Sequence, residues 1–453
     1  MTPPKKLRFR SIYSEVQLYR AALDVYKKPL FSWRKALSRS FDGKTLYDFA
    51  EHSSRNLDLL HHSLMSESYH LQPYIALDYN FNGKHRRIYV PTWEDRIVDR
   101  CLYELLNSRF HSRMSMSSYA YRCRGGGLDS CQRNIARYIR ESKKPLFICK
   151  RDIRNFFPTI SQEILLNKVK QFVAEDDYLF QLLKQRIHFC VKVDETVNAV
   201  NTGTAFGTPL ACFFANLYLT ELDQKMTADK SVFYTRYADD FFFASSEADT
   251  LDASRNLLAT ELDSLELELK PAATLDIGFS LDTEHLGFTP STKFRHLGLE
   301  FREDGGIGLS RDKLRKIRNL FRFAFRRHKS KLKRAKDLTI RTKILVDCAN
   351  QVLERRLRNI AIVDYYLKHV DDEMQLKLLD RWLAEEVLAR VLESGHRKSN
   401  FRLMPFKELR KMGLPSLRHR RRLLKHGHIS TAFFQLRTER IIENERRRRL
   451  PSH

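Results

Sequence analysis

Phe233-Tyr-Thr-Arg-Tyr-Ala-Asp-Asp-Phe-Phe-Phe243 sets two adjacent acids at the centre of an aromatic stretch. The apolar runs Val232 to Arg236 and Phe241 to Ala244 flank a tight centre at Ala238-Asp239, a pattern that predicts a β-hairpin. Six aromatic side chains surround Asp239 and Asp240. A carboxylate in such company is costly unless it binds a cation or is hydrogen bonded. An Asp-Asp pair in a turn is by itself ordinary turn chemistry. What gives this pair weight is the order of the parts around it.

Upstream, Leu146-Phe-Ile-Cys149 reads as a short apolar strand, and Asp152 follows it. A helix is expected near Ser161, with Thr159 and Gln162 at capping-box spacing and Leu165, Val169 and Phe172 on one face. A second helix begins at Pro209 and is apolar nearly all round through Leu219, which implies deep burial. Hard divalent ions take oxygen ligands, a few from protein and the rest from water and phosphate. Two such ions about 4 Å apart activate a 3′-hydroxyl and stabilise a pyrophosphate leaving group. Asp152 with Asp239 and Asp240 is the smallest set of acids that this chemistry needs.

The rest of the chain falls into zones. Residues 1–145 read as mostly helical, with Leu57, Leu60 and Leu64 at helical spacing and one basic strand, Lys84 to Val90, stopped by Pro91. Gly125-Gly126-Gly127 marks a loop. Residues 146–310 alternate strands and helices, and residues 311–453 read as helical and strongly basic. Arg311 to Ile340 holds thirteen Lys/Arg against two Asp/Glu, and four arginines, Arg446, Arg447, Arg448 and Arg449, stand near the end. The net charge of +26 points to a polyanionic partner without separating an enzyme from a binding module. Seven cysteines include no Cys-x-x-Cys pair and no zinc spacing, so they read as small buried hydrophobes of a reducing compartment. No apolar run reaches transmembrane length, and the first residues lack a secretory apolar segment, so a cytoplasmic location with no membrane partner is expected.

In order along the chain, these parts resemble the reverse transcriptases over roughly residues 60 to 305. Lys150-Arg-Asp-Ile-Arg-Asn-Phe-Phe-Pro158 is similar to the first catalytic motif of that family. Gly207-Thr-Pro-Leu-Ala-Cys-Phe-Phe-Ala-Asn-Leu-Tyr-Leu219 is similar to the second, and Tyr237-Ala-Asp-Asp240 to the Tyr-x-Asp-Asp signature. His296-Leu-Gly-Leu-Glu-Phe301 resembles the primer grip. Arg86-Arg-Ile-Tyr-Val-Pro-Thr92, Asp95-Arg96 and Ser118-Tyr-Ala-Tyr-Arg122 resemble fingers segments of bacterial members.

The resemblance implies an α+β right-hand polymerase of fingers, palm and thumb with an α-helical C-terminal region. Its domains would be N-terminal helices and fingers at 1–145, palm with part of the fingers at 146–310, and a basic thumb and C-terminal region at 311–453. It implies two Mg²⁺ ions, with Mn²⁺ as an alternative, held by Asp152 and Asp239 with Asp240 in support. Phe157 falls at the steric gate that excludes a ribose 2′-hydroxyl, while Phe156 reads as core. Arg86, Arg87 and Arg122 fall where fingers cations meet a triphosphate, and Asp95 with Arg96 would brace the fingers internally. The sequence departs from the family where Pro-Gln-Gly is usual. Ala205-Phe206-Gly207 stands there, so Phe206 stacks or packs where a glutamine would touch the nucleotide.

No ribonuclease H or His-Asn-His endonuclease segment is recognisable, nor the Val-Thr-Gly thumb segment of retron enzymes. The tail, with Tyr365 to Asp372, an amphipathic helix expected around Leu378 to Leu388, and Met412 to Leu417, resembles the helical tails of bacterial "unknown group", defence-associated members. The implied activity is RNA-directed DNA synthesis from dNTPs, on a dedicated non-coding RNA, in anti-phage defence. A group II intron-type maturase, protein-primed or untemplated DNA synthesis, and an RNA-binding scaffold are the alternatives. The basic C-terminal segments, Arg446 to Arg449 included, would contact that RNA; the oligomeric state is open.

Overall fold

The computed structural model describes residues 13–29, 32–81, 84–122, 125–173, 177–354, 356–357 and 360–429. Arg446, Arg447, Arg448 and Arg449 lie outside them. The chain divides into two compact units, one of residues 1–131 and 142–291, the other of 132–141 and 292–453.

Strands in the first unit are β1 (Tyr74–Phe81), β2 (Lys84–Val90), β3 (Leu146–Asp152), β4 (Cys190–Val193), β5 (Thr196–Ala199), β6 (Phe233–Tyr237), β7 (Asp240–Ser245), β8 (Leu275–Phe279) and β9 (Thr289–Pro290). They form two sheets, β2-β1-β4-β5 and β6-β7-β3-β8-β9. The second is the one that matters for chemistry. Its central strand β3 runs antiparallel to β7 on one side and to β8 on the other. Leu146, Phe147, Ile148 and Cys149 are all buried, so the strand is apolar on both faces. The run Phe241, Phe242, Phe243 and Ala244 in β7 is equally buried. Helices cover these rings. Pro209–Tyr218 is one, capped by the Thr208 hydroxyl, which accepts from the Ala211 amide, with Pro209 in the first turn, where its missing N–H costs nothing. It is buried nearly all round, as its composition predicts.

The helix expected near Ser161 spans Gln162–Phe172, with Leu165 and Val169 buried. Its capping box does not form. Thr159 closes the preceding short helix, and its hydroxyl donates to the Asn155 and Phe156 carbonyls. The Gln162 amide is drawn away to the Val200 and Gly203 carbonyls and to His188. The expected single N-terminal strand is a hairpin of β1 with β2.

The second unit holds the three-stranded sheet of β10 (Lys293–His296), β11 (Leu299–Arg302) and β12 (Ile307–Leu309), then mostly helices. A tight turn joins β10 to β11 through Leu297 and Gly298, both at positive φ, as a two-residue type I′ turn requires. Helix Glu373–Val391 differs from the amphipathic expectation. Leu376, Leu379, Trp382, Leu383, Val387, Leu388 and Val391 are buried, and so are Asp380 and Glu386, so it is a central helix rather than a surface one. Its acids are matched. Glu386 accepts from Arg322, Arg390 and His396, and Asp380 from Arg410, Ser416 and the Leu417 amide. Burial works against the Glu386 charge, but the Arg390 and Arg322 hydrogen bonds prevail and hold its carboxyl below the usual range. The basic helix Arg311–Arg327 buries Ile317, Phe321 and Phe325 and leaves its other faces cationic.

Cys101, Cys131, Cys149 and Cys348 are free and buried; Cys190 and Cys212 are free and partly exposed. No described helix is long and apolar enough to cross a membrane.

Candidate active site

Strands β6 and β7 pair down to Tyr237 opposite Asp240, which leaves Ala238 and Asp239 as the two turn residues. Ala238 alone of the two has positive φ, +59°, the pattern of a type II′ hairpin turn. Glycine would adopt it freely. Alanine gives up about 1–2 kcal/mol to hold it, so the turn is kept by its surroundings.

On the other side of β7 the ladder with β3 runs from Phe147 opposite Ser245 to Asp152 opposite Asp240. One step further the Ile153 amide donates to the Asp239 carbonyl at 3.3 Å. All three sequence-predicted acids therefore meet at one end of the sheet. Directly opposed residues of an antiparallel pair have Cβ atoms about 4.5–5.5 Å apart, and like charges there repel. Asp152 and Asp240 are such a pair, and both are only partly buried. The Lys150 ammonium lies 3.8 Å from the Asp240 carboxylate and offsets part of the repulsion. Among the described residues no side chain donates to the Asp152 carboxylate.

Among the described residues no three His, Cys, Asp or Glu side chains form a ready-made metal cage. Mg²⁺ keeps several waters and takes one or two carboxylates plus substrate phosphates. Hard carboxylate oxygens, partly open to solvent and crowded by like charge, fit such an ion.

After Asp152 the chain turns sharply at Asn155, itself left-handed at φ +51°, into the short helix Phe156–Thr159. Phe156 enters the core and Phe157 stays half-buried. The Phe157 ring lies 4.7 Å from that of Phe206 and 6.5 Å, edge-on, from that of Tyr121. Phe206 thus packs on Phe157. Its carbonyl accepts from the Tyr89 amide of β2 at 2.8 Å. Gly207 follows at φ +112°, and a Cβ there would stand 2.5 Å from the Ile88 methyl, so only glycine lets the two segments approach.

The predicted fingers cations are engaged elsewhere. Arg87 forms a two-pronged pair with Asp78 across the hairpin, Nε and Nη2 each at 3.0 Å from an oxygen. Arg122 donates to the Ser115 and Ser118 carbonyls, bracing the loop ahead of the glycines. Asp95 is buried. Its carboxylate accepts from the Tyr69 hydroxyl and the Gln72 amide, and its own amide donates to the Thr92 hydroxyl. Arg96 stacks on Trp93 and donates to the Pro91 carbonyl. Burial pushes the Asp95 carboxyl up despite its donors.

The sequence reading missed a set of residues beneath the turn. Arg236 and Asp223 form an ion pair with both side chains 1% exposed. Asn216 and Ser118 hydrogen-bond to the same guanidinium. The signal was present in the sequence: a charged residue inside an otherwise apolar strand run needs a buried partner.

Residues 78–301 match the family model described as reverse transcriptase (RNA-dependent DNA polymerase). A curated relative, the Retron Ec83 reverse transcriptase of Escherichia coli, is 25% identical over 182 residues, which is 39% of this chain and 54% of that protein. The chain thus spans little more than half the length of that relative. Among solved structures, telomerase from Candida albicans with a fragment of telomeric RNA aligns at TM-score 0.46 and 10% identity, over 84% of this chain and 69% of that one. A truncated apo telomerase from Candida tropicalis aligns at TM-score 0.43 and 14% identity, over 60% and 63%. The family match begins in β1, ends in β11 and takes in the whole five-stranded sheet with its three acids, in the α+β class expected. By that match residues 78–301, just under half of the chain, are similar to the reverse transcriptases.

Proposed function

We propose that the chain is an RNA-directed DNA polymerase whose reaction centre is the end of the β3–β7 ladder. The observation that carries this is the register that sets Asp152 opposite Asp240, with Asp239 in the adjoining turn, inside the segment matched by the family. Asp152 and Asp239 would hold two Mg²⁺ ions, Mn²⁺ serving in their place, and Asp240 would support them. Bound there, the ions supply an acidified 3′-hydroxyl and charge neutralisation for departing pyrophosphate. The 3′-oxygen forms a bond to the α-phosphorus of a dNTP as the bond to pyrophosphate breaks.

The chain's own groups do the rest. The Phe157 ring, held by Phe206, blocks a 2′-hydroxyl and favours deoxynucleotides. Phe206 and Gly207 shape the nucleotide floor by packing rather than by an amide contact. Arg87 would meet the triphosphate by exchanging Asp78 for phosphate, and Arg122 would act from the loop that it braces. The basic helices after Arg311 would lie along an RNA backbone, Arg446 to Arg449 adding to them, and each neutralised phosphate adds salt-sensitive affinity. A role in anti-phage defence rests on the resemblance of the tail, and a dedicated non-coding RNA template rests also on the excess positive charge of Arg311 to Ile340 and of Arg446 to Arg449; a cytoplasmic location is part of the same reading.

The test is extension of a DNA primer on an RNA template by purified protein with dNTPs. Incorporation is expected with Mg²⁺ and none with EDTA. Failure to incorporate on primed RNA, primed DNA or without primer would overturn the reading. Product that enters the aqueous phase only after protease treatment would show protein priming instead.

A further inference from the structure

Arg236 stands three residues before Asp239, inside β6 and almost fully buried. Its guanidinium has five N–H donors in a rigid plane, and all five have acceptors. Nε and one Nη2 proton go to the two Asp223 oxygens at 2.7 and 2.6 Å. The second Nη2 proton goes to the Ser118 hydroxyl at 3.0 Å. Nη1 donates to the Asn216 side-chain oxygen at 3.3 Å and to the Ala238 carbonyl at 2.8 Å. Its backbone is pinned as well, the amide to the Ser117 carbonyl and the carbonyl to the Tyr119 amide.

Neutralising Asp223 needs two of those donors. The bond to the Ala238 carbonyl has another consequence. It fixes the peptide plane between Ala238 and Asp239, at a residue whose left-handed backbone alanine does not favour. The plane on the far side of Asp239 is fixed by the Ile153 amide. With both flanking planes held, the Cα–Cβ direction of Asp239 is set relative to β3, which carries Asp152.

We propose that Arg236 is a positioning residue for Asp239, acting through the Ala238 carbonyl to aim the turn carboxylate at the metal site. This rests on the polymerase reading of that turn. Arg236 touches neither substrate nor metal; it holds the geometry that they require. Asp223, Asn216 and Ser118 hold the guanidinium in turn, and Asn216 is tied to the Ala120 carbonyl at 3.0 Å.

Arg236→Lys keeps the charge beside Asp223 but offers a single ammonium that cannot span Asp223 and Ala238 together. Primer extension by folded Arg236→Lys, normalised to the native fraction by thermal unfolding, is expected to show kcat reduced roughly tenfold to a hundredfold, as for a small misplacement of a reacting group. The Mg²⁺ concentration for half-maximal rate should rise, with KM for dNTP nearly unchanged. If Arg236→Lys does not fold, the double variant Asp223→Asn with Arg236→Gln removes both buried charges at once, a change that interiors tolerate, and should show the same loss. Asp223→Asn alone keeps a side-chain oxygen for the guanidinium and the Ala238 bond, so it should lose stability and lose less kcat per folded molecule than Arg236→Lys. Wild-type kcat and Mg²⁺ dependence in either folded Arg236 variant would overturn the proposal. A wild-type protein that incorporates nothing would overturn the polymerase reading instead.

Discussion

The two units pair their buried acids alike but differ in the charge that they leave at the surface. In the helical unit the buried acids are each met by arginine: Glu386 by Arg322 and Arg390, Asp380 by Arg410, Asp364 by Arg420. What is left over is positive. Lys316, Arg326, Lys329, Lys331, Lys333 and Lys336 are exposed, with no carboxylate partner among the described residues. In the first unit the deeply buried acids are also met, Asp223 by Arg236, Asp99 by Arg186 and Asp95 by the Tyr69 hydroxyl. Three further acids of that unit, Asp152, Asp239 and Asp240, come together at the end of β3 and β7 and are only partly buried. Folding stability favours removing or pairing such charge. On the proposed function, the crowded acids at the sheet end would meet cations and the basic helices would meet phosphates.

Each surplus can be removed separately. Asp152→Asn takes a charge from the crowded sheet end without changing shape. It should cut dNTP incorporation by roughly a thousandfold or more, the several kcal/mol that bound metals supply, while the unfolding midpoint stays level or rises because a like-charge pair is relieved. Glu386→Gln makes the opposite test in the helical unit. It strips the shared partner from Arg322 and Arg390, and chemical denaturation should show a loss of about 3 kcal/mol, with activity per folded molecule kept. An equal loss of activity would break the division between the units. Phe157→Ala should raise the ratio of ribonucleotide to deoxynucleotide kcat/KM by about tenfold, the scale of about 1–3 kcal/mol available to a packing interaction in substrate choice. An unchanged ratio would make Phe157 a core residue that happens to lie half-open. Smallest of all, Lys329→Ala with Lys333→Ala should lower the slope of log affinity for RNA against log salt by about 1 for each phosphate no longer neutralised. The Mg²⁺ dependence of synthesis should not move.

The palm was legible because its elements are short apolar runs bounded by residues with special duties. β3 ends on Asp152, and β6 and β7 are separated by two residues. The helix at Pro209 opens on a threonine cap and a proline. The strands β4 and β5 were not legible: Thr196-Val-Asn-Ala199 is exposed throughout and carries no burial pattern. The capping box at Thr159 looked right in spacing, but tertiary carbonyls of Val200 and Gly203 outbid the local partner for Gln162. The central helix of the second unit read as amphipathic because Asp380, Glu386 and Arg390 look like a solvent face. Their arginine and glutamate partners, some of them 30 or more residues away, bring them inside. Arg236 showed as a charge inside an apolar run, but its partners did not, since Ser118 is 118 residues away in sequence.

If the acids at the turn serve chemistry and not the fold, Asp239→Asn separates the two. Purified wild-type and Asp239→Asn proteins would be compared for primer extension on RNA with dNTPs and Mg²⁺, alongside their unfolding curves and their affinity for the template. Synthesis is expected to be abolished, with the unfolding midpoint and RNA affinity unchanged. Extension at the wild-type rate by the folded variant would contradict this expectation.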